Sequence, residues 1–218
     1  MERFFRELAP FYPLLGRGLF TTCKLCLIAY LIGIPLGALL GYLRHRFEST
    51  LGRVLRFASF GMTAVPFMVL LFWLHYPLQQ ILGVVILPEI TGIVALTLLC
   101  TAYVSDALAA ELFRFPKDLV ETGRTLGLND SQIFWKLQLP YLIRLTLPQV
   151  LMIMVAVLHA SLFCSMISVE EIFRAVQAVN TELFRPVEIY TSMAIFLFLI
   201  SAIFQGAAYW LRRRWKLN

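Results

Sequence analysis

Apolar stretches of about 20 residues recur along this chain, and they limit its fold more than any other feature, because a helix needs about that length to cross a bilayer. Of the 218 residues, 60% are hydrophobic and 15% are charged, and the mean hydropathy is +0.78. So little polar surface excludes an ordinary water-soluble domain. The sequence predicts an all-α membrane protein with one transmembrane domain over residues 1–218.

The apolar stretches predict five transmembrane helices. Their approximate bounds are residues 19–43, 54–76, 89–112, 145–166 and 187–211. The intervening segments are more polar, and we expect a short interfacial helix in 1–17, a loop or half-inserted turn in 77–88, a structured loop in 113–144 and a helical insert in 168–186.

Glycine and proline mark two of these spans. Gly33, Gly37 and Gly41 recur every fourth residue, which puts them on one helix face and predicts close packing against another helix. Pro66 interrupts the second span. Such a break predicts either exposed backbone that lines a pathway or a packed kink, and the sequence leaves both open.

Basic residues gather in three segments, 44–56, 114–144 and 212–216. With five spans these segments share one side of the membrane, and the positive-inside tendency makes that side cytoplasmic. The N-terminus then lies outside, where Arg3, Arg6, Arg17 and Lys24 run against the tendency. The formal charge of +6 is explained in this way, and a nucleic-acid partner is not expected.

Residues 121–140 form a polar island between two spans. Their apolar residues recur at helical spacing on both sides of a stretch, 127–130, that has turn and helix-cap chemistry, so we predict two short amphipathic helices joined by a turn. The pattern Glu121-Thr122-Gly123, then Gly127, then Leu137-x-Leu139-Pro140 resembles the cytoplasmic signature loop of ABC importer permeases. That loop reads E-A-A, three residues, G, nine residues, I-x-L-P, and the spacing agrees throughout.

Other stretches resemble the polar amino-acid uptake branch of that family. They are Gly18-x-x-Thr21-Thr22, Ala102-Tyr103 followed by Pro116-Lys117, Ser161-Leu162, Val169-x-Glu171-Ile172 and Phe184-Arg185-Pro186. The chain departs from the branch where a glutamate and an arginine usually follow the tyrosine, since it has Asp106 and Ala109 there. It also keeps only Pro66 of a usual Arg-Gly-Thr-Pro and lacks a common Lys-Asp pair near residue 159.

The resemblance implies a five-helix, type I importer permease of the bacterial inner membrane, surrounded by membrane lipid. Its expected partners are a second permease chain, identical or homologous, ATPase subunits and an extracytoplasmic solute-binding protein. The chain has no G-x-x-x-x-G-K-[ST] phosphate loop, so we expect it to be non-catalytic, with ATP and Mg bound by the ATPase. The residues expected to contact the ATPase are Glu121, Thr122, Gly123, Arg124, Gly127, Leu137, Leu139 and Pro140.

Polar residues inside the spans are the candidates for the substrate pathway. They are Thr63, Pro66, Asp106, His159 and Ser161. A carboxylate inside a span is costly unless it has a partner or water, so Asp106 predicts either a contact with a substrate ammonium or guanidinium group or a structural ion pair. The first alternative points to polar or basic amino acids as substrates. In the insert, Glu170, Glu171 and Arg174 are candidates for contact with the binding protein.

Two other functions are compatible with a polytopic membrane chain. An ion-gradient-driven secondary transporter would use Asp106 and His159, but it predicts internal repeats that the sequence does not display. A membrane enzyme would need a convergent nucleophile and base or a metal set. Cys23 and Cys26 formally read C-x-x-C, yet without further ligands they predict packing and no metal site.

Overall fold

The computed structural model describes residues 7–47 and 50–215, and predictions for 1–6, 48–49 and 216–218 lie outside it. All regular structure in the described part is helical. In chain order, a 3-10 turn (Ala9–Phe11) precedes α1 (Tyr12–Arg46), α2 (Thr50–Ala64), α3 (Phe67–His75), α4 (Pro77–Leu82), α5 (Pro88–Arg114), α6 (Lys117–Thr125), α7 (Asp130–Ile133), a π-helical segment (Phe134–Gln138), α8 (Leu139–Ser161), a 3-10 segment (Leu162–Ile167), α9 (Ile172–Leu183) and α10 (Pro186–Arg214).

Four of these helical stretches are long and apolar enough to cross a membrane within the described residues. They are Ala9–Arg46, Pro88–Arg114, Asp130–Ile167 and Pro186–Arg214. The predicted second span is different, because Thr50–Ala64 and Phe67–Leu82 meet at a bend of 99°. Pro66 lacks an N–H, and its backbone is extended (φ −54°, ψ 132°), so the helix ends before it.

Two predicted boundaries are wrong. Residues 12–17 belong to α1 and form no separate interfacial helix. The helix that starts at Asp130 runs without a break into the predicted fourth span. The helix continues through Pro140, which has no N–H to donate, because a π-helical turn precedes it. In that turn the Leu139 N–H donates to the Phe134 carbonyl, five residues back, so the hydrogen-bond pattern shifts just before the proline.

The glycine stripe packs α1 against α5, as predicted. A Cβ on Gly33 would stand 2.7 Å from the Cys100 Cβ, and one on Gly37 would stand 2.7 Å from the Thr101 carbonyl oxygen. Gly41 is also buried, 2.9 Å from the Ser105 carbonyl oxygen by the same measure. Backbones this close leave no room for a side chain, so α1 and α5 form the central pair of the bundle.

The main core lies where α8 joins this pair. Leu25, Leu96, Val157 and Cys164 are fully buried there, and each comes from a different helix or from the 3-10 segment after α8. A second cluster forms where α9 packs on α1 and α10. The helical pattern predicted for the insert is therefore confirmed by α9.

Aromatic contacts bring the basic segments 44–56 and 114–144 together at one end of the bundle, called the basic end here. Tyr42 packs on Phe134 with ring centroids 5.1 Å apart, and His45 packs edge-on against Phe113 at 5.3 Å. The guanidinium of Arg56 lies 5.7 Å from the same Phe113 ring. The α6–α7 pair thus lies at the basic end, and α9 lies at the opposite end, called the α9 end.

Candidate functional site

The turn between α6 and α7 has a defined geometry. Gly127 follows α6 with a φ of 80°, a left-handed conformation that favours glycine because it has no Cβ. The Asn129 side chain then accepts from the Gln132 backbone N–H at 2.8 Å, and the Gln132 side chain accepts from the Asn129 backbone N–H at 3.0 Å. This reciprocal pair is a capping box, so the predicted turn and cap chemistry is confirmed.

Gly123 sets how closely α6 lies on the following helix. It is buried, and a Cβ there would stand 3.1 Å from the Ile133 side chain and 3.3 Å from that of Leu137. Glu121 and Arg124 are exposed. Gly123 therefore lies in the contact between the two helices, while the charged side chains of Glu121 and Arg124 lie outside that contact.

The remaining predicted contact residues divide in the same way. Thr122 and Pro140 are exposed, and Leu139 is half-buried. Arg124 pairs with Asp130 at 3.1 Å, with side chains 61% and 83% exposed. An ion pair this exposed contributes little to stability, so Arg124 remains available to a partner surface.

A cavity of about 490 Å³ lies between the helix pair and the ends of α1 and α5. Tyr42 and His45 line it from α1, and Glu121 and Arg124 line it from α6. The helix pair contacts the bundle where Phe134 packs on Tyr42, and the cavity separates Glu121 and Arg124 of α6 from Tyr42 and His45 of α1.

Asp106 lies in the last third of α5 and is bound by two other helices. The Nη1 of Arg44 in α1 donates to its Oδ1 and, at 3.2 Å, to the Ser105 hydroxyl. Ser59 of α2 donates to the same carboxylate oxygen at 2.8 Å. The structural ion pair left open by the sequence therefore forms, with side chains 8% and 40% exposed for Arg44 and Asp106.

Thr63 and Pro66 continue along α2 from this network. The Thr63 hydroxyl donates to the Ser59 carbonyl at 3.1 Å, one turn away, and its side chain is half-buried. Pro66 is exposed in the break before α3. Thr63 and Asp106 thus belong to one polar patch, and Ser59 joins them.

His159 and Ser161 lie in a different part of the bundle. His159 Nε2 is 3.0 Å from the Ser201 hydroxyl of α10. Ser161 is fully buried and donates to the Leu158 carbonyl at 2.7 Å, so it lines no open space. At 1.5 Å per residue, Asp106 is about 12 Å from the basic end of α5, whereas His159 is about 30 Å from the basic end of α8. The predicted pathway residues therefore form two groups and no single site.

At the α9 end, Glu170 and Arg174 are exposed, as a contact with a binding protein requires. Glu171 is fully buried, and its carboxylate accepts from the Phe173 and Arg174 N–H groups at 2.8 Å each. Burial raises the pKa of Glu171 to about 7, against these hydrogen bonds and the Arg174 charge, which favour the ionised form. The prediction that Glu171 meets a partner is corrected, because its side chain caps α9 instead.

Two stretches that resemble the amino-acid uptake branch, Gly18-x-x-Thr21-Thr22 and Val169-x-Glu171-Ile172, contact each other directly. Gly18 lies against α9, where a Cβ would stand 3.0 Å from the Ile172 Cα and 3.1 Å from the Glu171 carbonyl oxygen. The Thr22 hydroxyl accepts from the Ile172 N–H at 3.1 Å. Together they fix the start of α9 on α1.

Sequence reasoning missed Arg44 and the pair Glu111–Gln149. Arg44 begins a basic segment, yet it follows Gly33, Gly37 and Gly41 at helical spacing and so lies on the buried face of α1. Glu111 is buried, and it accepts from the Gln149 side-chain amide at 2.8 Å. This bond joins α5, which precedes the α6–α7 pair in the chain, to α8, which follows it. No sequence pattern predicts the bond.

Bent and straight apolar helices around a glycine-packed pair, with a capped helix-turn-helix projecting at the basic end, define a multi-pass membrane permease domain. The family model described as binding-protein-dependent transport system inner membrane component matches residues 33–217, so the chain belongs to this family of ABC importer permeases. It is a component of the inner membrane. The family identification made from the 121–140 pattern is confirmed.

Several characterised proteins are similar over nearly the whole chain. The L-cystine transport system permease protein TcyB of Bacillus subtilis is 24% identical over 205 residues, which cover 94% of this chain and 87% of that protein. The histidine/lysine/arginine/ornithine permease protein HisQ of Salmonella typhimurium is 21% identical over 93% of each chain. A crystal structure of an amino acid ABC transporter with histidines matches with a TM-score of 0.85 at 23% identity, covering 96% of this chain and 98% of that one, and it shows the same fold.

Proposed function

We propose that this permease takes up amino acids, and that its α6–α7 pair receives the motion of separate ATPase subunits. The observation that carries the proposal is the capped turn at Gly127, which holds α6 outside the bundle with Glu121 and Arg124 exposed. A short amphipathic helix presented in this way suits a groove on a partner protein. ATP and Mg would be bound by that partner, since the chain has no phosphate-loop motif.

Motion of the α6–α7 pair would reach the membrane through α5 and α8, the helices that precede and follow the pair in the chain. Glu111 near the end of α5 and Gln149 in α8 are joined by a buried hydrogen bond. The helix from Asp130 to Ile167 is also continuous, so a displacement at α7 is transmitted along α8. Rocking of α5 and α8 together would change access to the space between two permease chains.

Amino acids are proposed as the solute class because TcyB and HisQ, which match the chain over most of their lengths, carry amino-acid names. Asp106 adds little to this proposal, since Arg44 already supplies its counter-charge. A cationic solute would have to compete with a buried guanidinium for that carboxylate. The second permease chain is therefore the better source of the polar solute contacts, and an extracytoplasmic binding protein would deliver the solute at the exposed Glu170 and Arg174.

Reconstitution into liposomes tests the proposal. The purified chain with its co-purifying subunits is expected to accumulate a radiolabelled amino acid only when ATP is supplied on the side of the ATPase. A panel of cystine, arginine, histidine and lysine covers the chemistries named for the relatives. Uptake by the chain alone, driven by a proton gradient without ATP, would disprove the ATPase coupling, and ATP-driven uptake of none of the amino acids would disprove the solute class alone.

A further inference from the structure

A groove of about 660 Å³ lies between the first half of α1 and α9, at the α9 end. Arg17 and Lys24 line it from α1, and Arg174 lines it from α9. Two of these cations, Arg17 and Lys24, are among the residues that run against the positive-inside tendency. Nothing in the coupling role at the basic end accounts for them.

The three cations are held differently. Arg174 is oriented by its Nη1, which donates to the Ser165 carbonyl at 3.2 Å. Lys24 pairs with Glu89 at the start of α5. Arg17 is exposed and forms no hydrogen bond or ion pair within residues 7–47 and 50–215. The groove therefore has two fixed cations and one free guanidinium.

Carboxylates balance this charge only in part. Glu170 lines the groove and Glu89 pairs with Lys24, so the exposed groups leave an excess of one positive charge. Glu171 lies beneath, fully buried, and both of its oxygens accept from backbone N–H groups. The exposed side chains of the groove thus favour an anionic ligand group.

An exposed apolar stripe continues from the groove along α1. Phe20, Leu27 and Leu31 are 71%, 57% and 66% exposed. Together with Arg17 and Lys24 they recur at alternating spacings of three and four residues, which places all five on one helix face. Cations therefore occupy the top of this face, and aliphatic and aromatic side chains continue it toward the membrane interior.

We propose that this face binds an anionic phospholipid of the leaflet at the α9 end. Arg17 and Arg174 contact the phosphodiester, Lys24 extends toward it along its own alkyl stem, and an acyl chain lies on Phe20, Leu27 and Leu31. A soluble acidic ligand or protein segment would match the charge but not the apolar stripe below it. An excess of positive charge next to an exposed apolar stripe matches an anionic phospholipid, which has a charged headgroup and apolar acyl chains.

Photo-crosslinking in nanodiscs tests this site on the full chain with its co-purifying subunits. Phosphatidylglycerol and phosphatidylcholine probes, each with a photoactivatable acyl chain, are compared by mass spectrometry of the labelled peptides. The phosphatidylglycerol probe should label residues 20–31 on the order of tenfold more strongly. Arg17→Gln should reduce that preference about fivefold, and Arg17→Lys should retain most of it.

The exposed stripe of α10 provides an internal control, because Phe198 and Ile203 are 69% and 71% exposed in the middle of a span without nearby basic residues. Both probes should label it equally in all variants. Three results would overturn the proposal: equal labelling of α1 by the two probes, a preference unchanged by Arg17→Gln, or no labelling of α1 because another protein chain covers the stripe.

Discussion

Replacing Asp106 with asparagine is expected to destabilise the protein, because the guanidinium of Arg44 loses its counter-charge. The Arg44 side chain is 8% exposed, and its Nε is buried without a hydrogen-bond partner among the described residues. Removal of one member of a buried ion pair costs about 3–5 kcal/mol. Asp106 is 40% exposed, so water screens part of the interaction, and we expect a loss of about 2 kcal/mol. Asparagine keeps an oxygen that can accept from Ser59, so the change removes little besides charge.

Thermal unfolding of the purified protein in detergent micelles measures this loss. Thr63→Val is the matched control, since the Thr63 hydroxyl bonds only to the backbone of its own helix in the described structure, and its effect should stay within about 0.5 kcal/mol. The double variant Asp106→Asn with Arg44→Met should lose less than the sum of the two single variants. Additive losses, or an Asp106→Asn variant as stable as the control, would refute the ion-pair account. A stable variant that loses uptake would return Asp106 to the pathway as a solute contact.

Three further perturbations follow from the geometry. Gly37→Ala places a Cβ 2.7 Å from a backbone oxygen of α5 and should lower the free energy of unfolding by about 1–3 kcal/mol. Gly16→Ala is the control, since a Cβ there has nothing within 4 Å, and it should raise the free energy of unfolding by about 0.5–1 kcal/mol. Equal unfolding temperatures for the two variants would contradict the packing of α1 on α5. Burial raises the pKa of Glu171 from 4.5 to about 7, so the folded state holds the proton more tightly than the unfolded chain. Its contribution to stability is then fully present below about pH 4.5 and is lost as the pH rises through about 7. Glu171→Gln keeps an acceptor for the α9 cap and should flatten this dependence in unfolding experiments, and an unchanged slope would show that another group titrates. Gly127→Ala forces a side chain into the left-handed region at a cost of about 1–2 kcal/mol, so the variant should retain less ATPase during purification. Gly61→Ala is the control, because a Cβ there also has nothing within 4 Å but the backbone is helical, and it should retain the ATPase as the unchanged chain does.

Local and periodic features of this fold were readable from the sequence. The apolar lengths gave the span count, with the second span as a bent pair, and the four-residue glycine spacing identified the α1–α5 contact. The pattern around Gly127 identified both the family and the turn, because left-handed backbone and a capping box each need particular residues at fixed offsets. In each case the sequence signal lies within one helix or one turn, even where, as for the glycines, the contact itself is made with another helix.

Features that depend on contacts between distant helices were not readable. Pro66 predicted a break in the second span, but no sequence pattern predicted the 99° angle between the two helical parts. The π-helical turn before Pro140, which joins α7 to α8 without a break, has no sequence signature. The sequence left Asp106 either as a contact for the substrate or as half of a structural ion pair, because its partner Arg44 lies 62 residues away in the chain. Glu171 lies in a polar stretch that predicts a surface acid, and it is buried because the start of α9 packs on Gly18 and Thr22 of α1.

Cysteine cross-linking tests the central claim, that the ATPase meets this permease at α6. Glu121→Cys and Glu188→Cys each replace an exposed carboxylate, the first on α6 at the basic end and the second at the start of α10 near the α9 end. In membranes that contain the whole importer, a short bifunctional reagent should join the Glu121→Cys variant to the ATPase subunit and leave the Glu188→Cys variant free of it. Cross-linking of the ATPase through position 188 and not through position 121 would contradict both the proposed orientation and the proposed coupling helix.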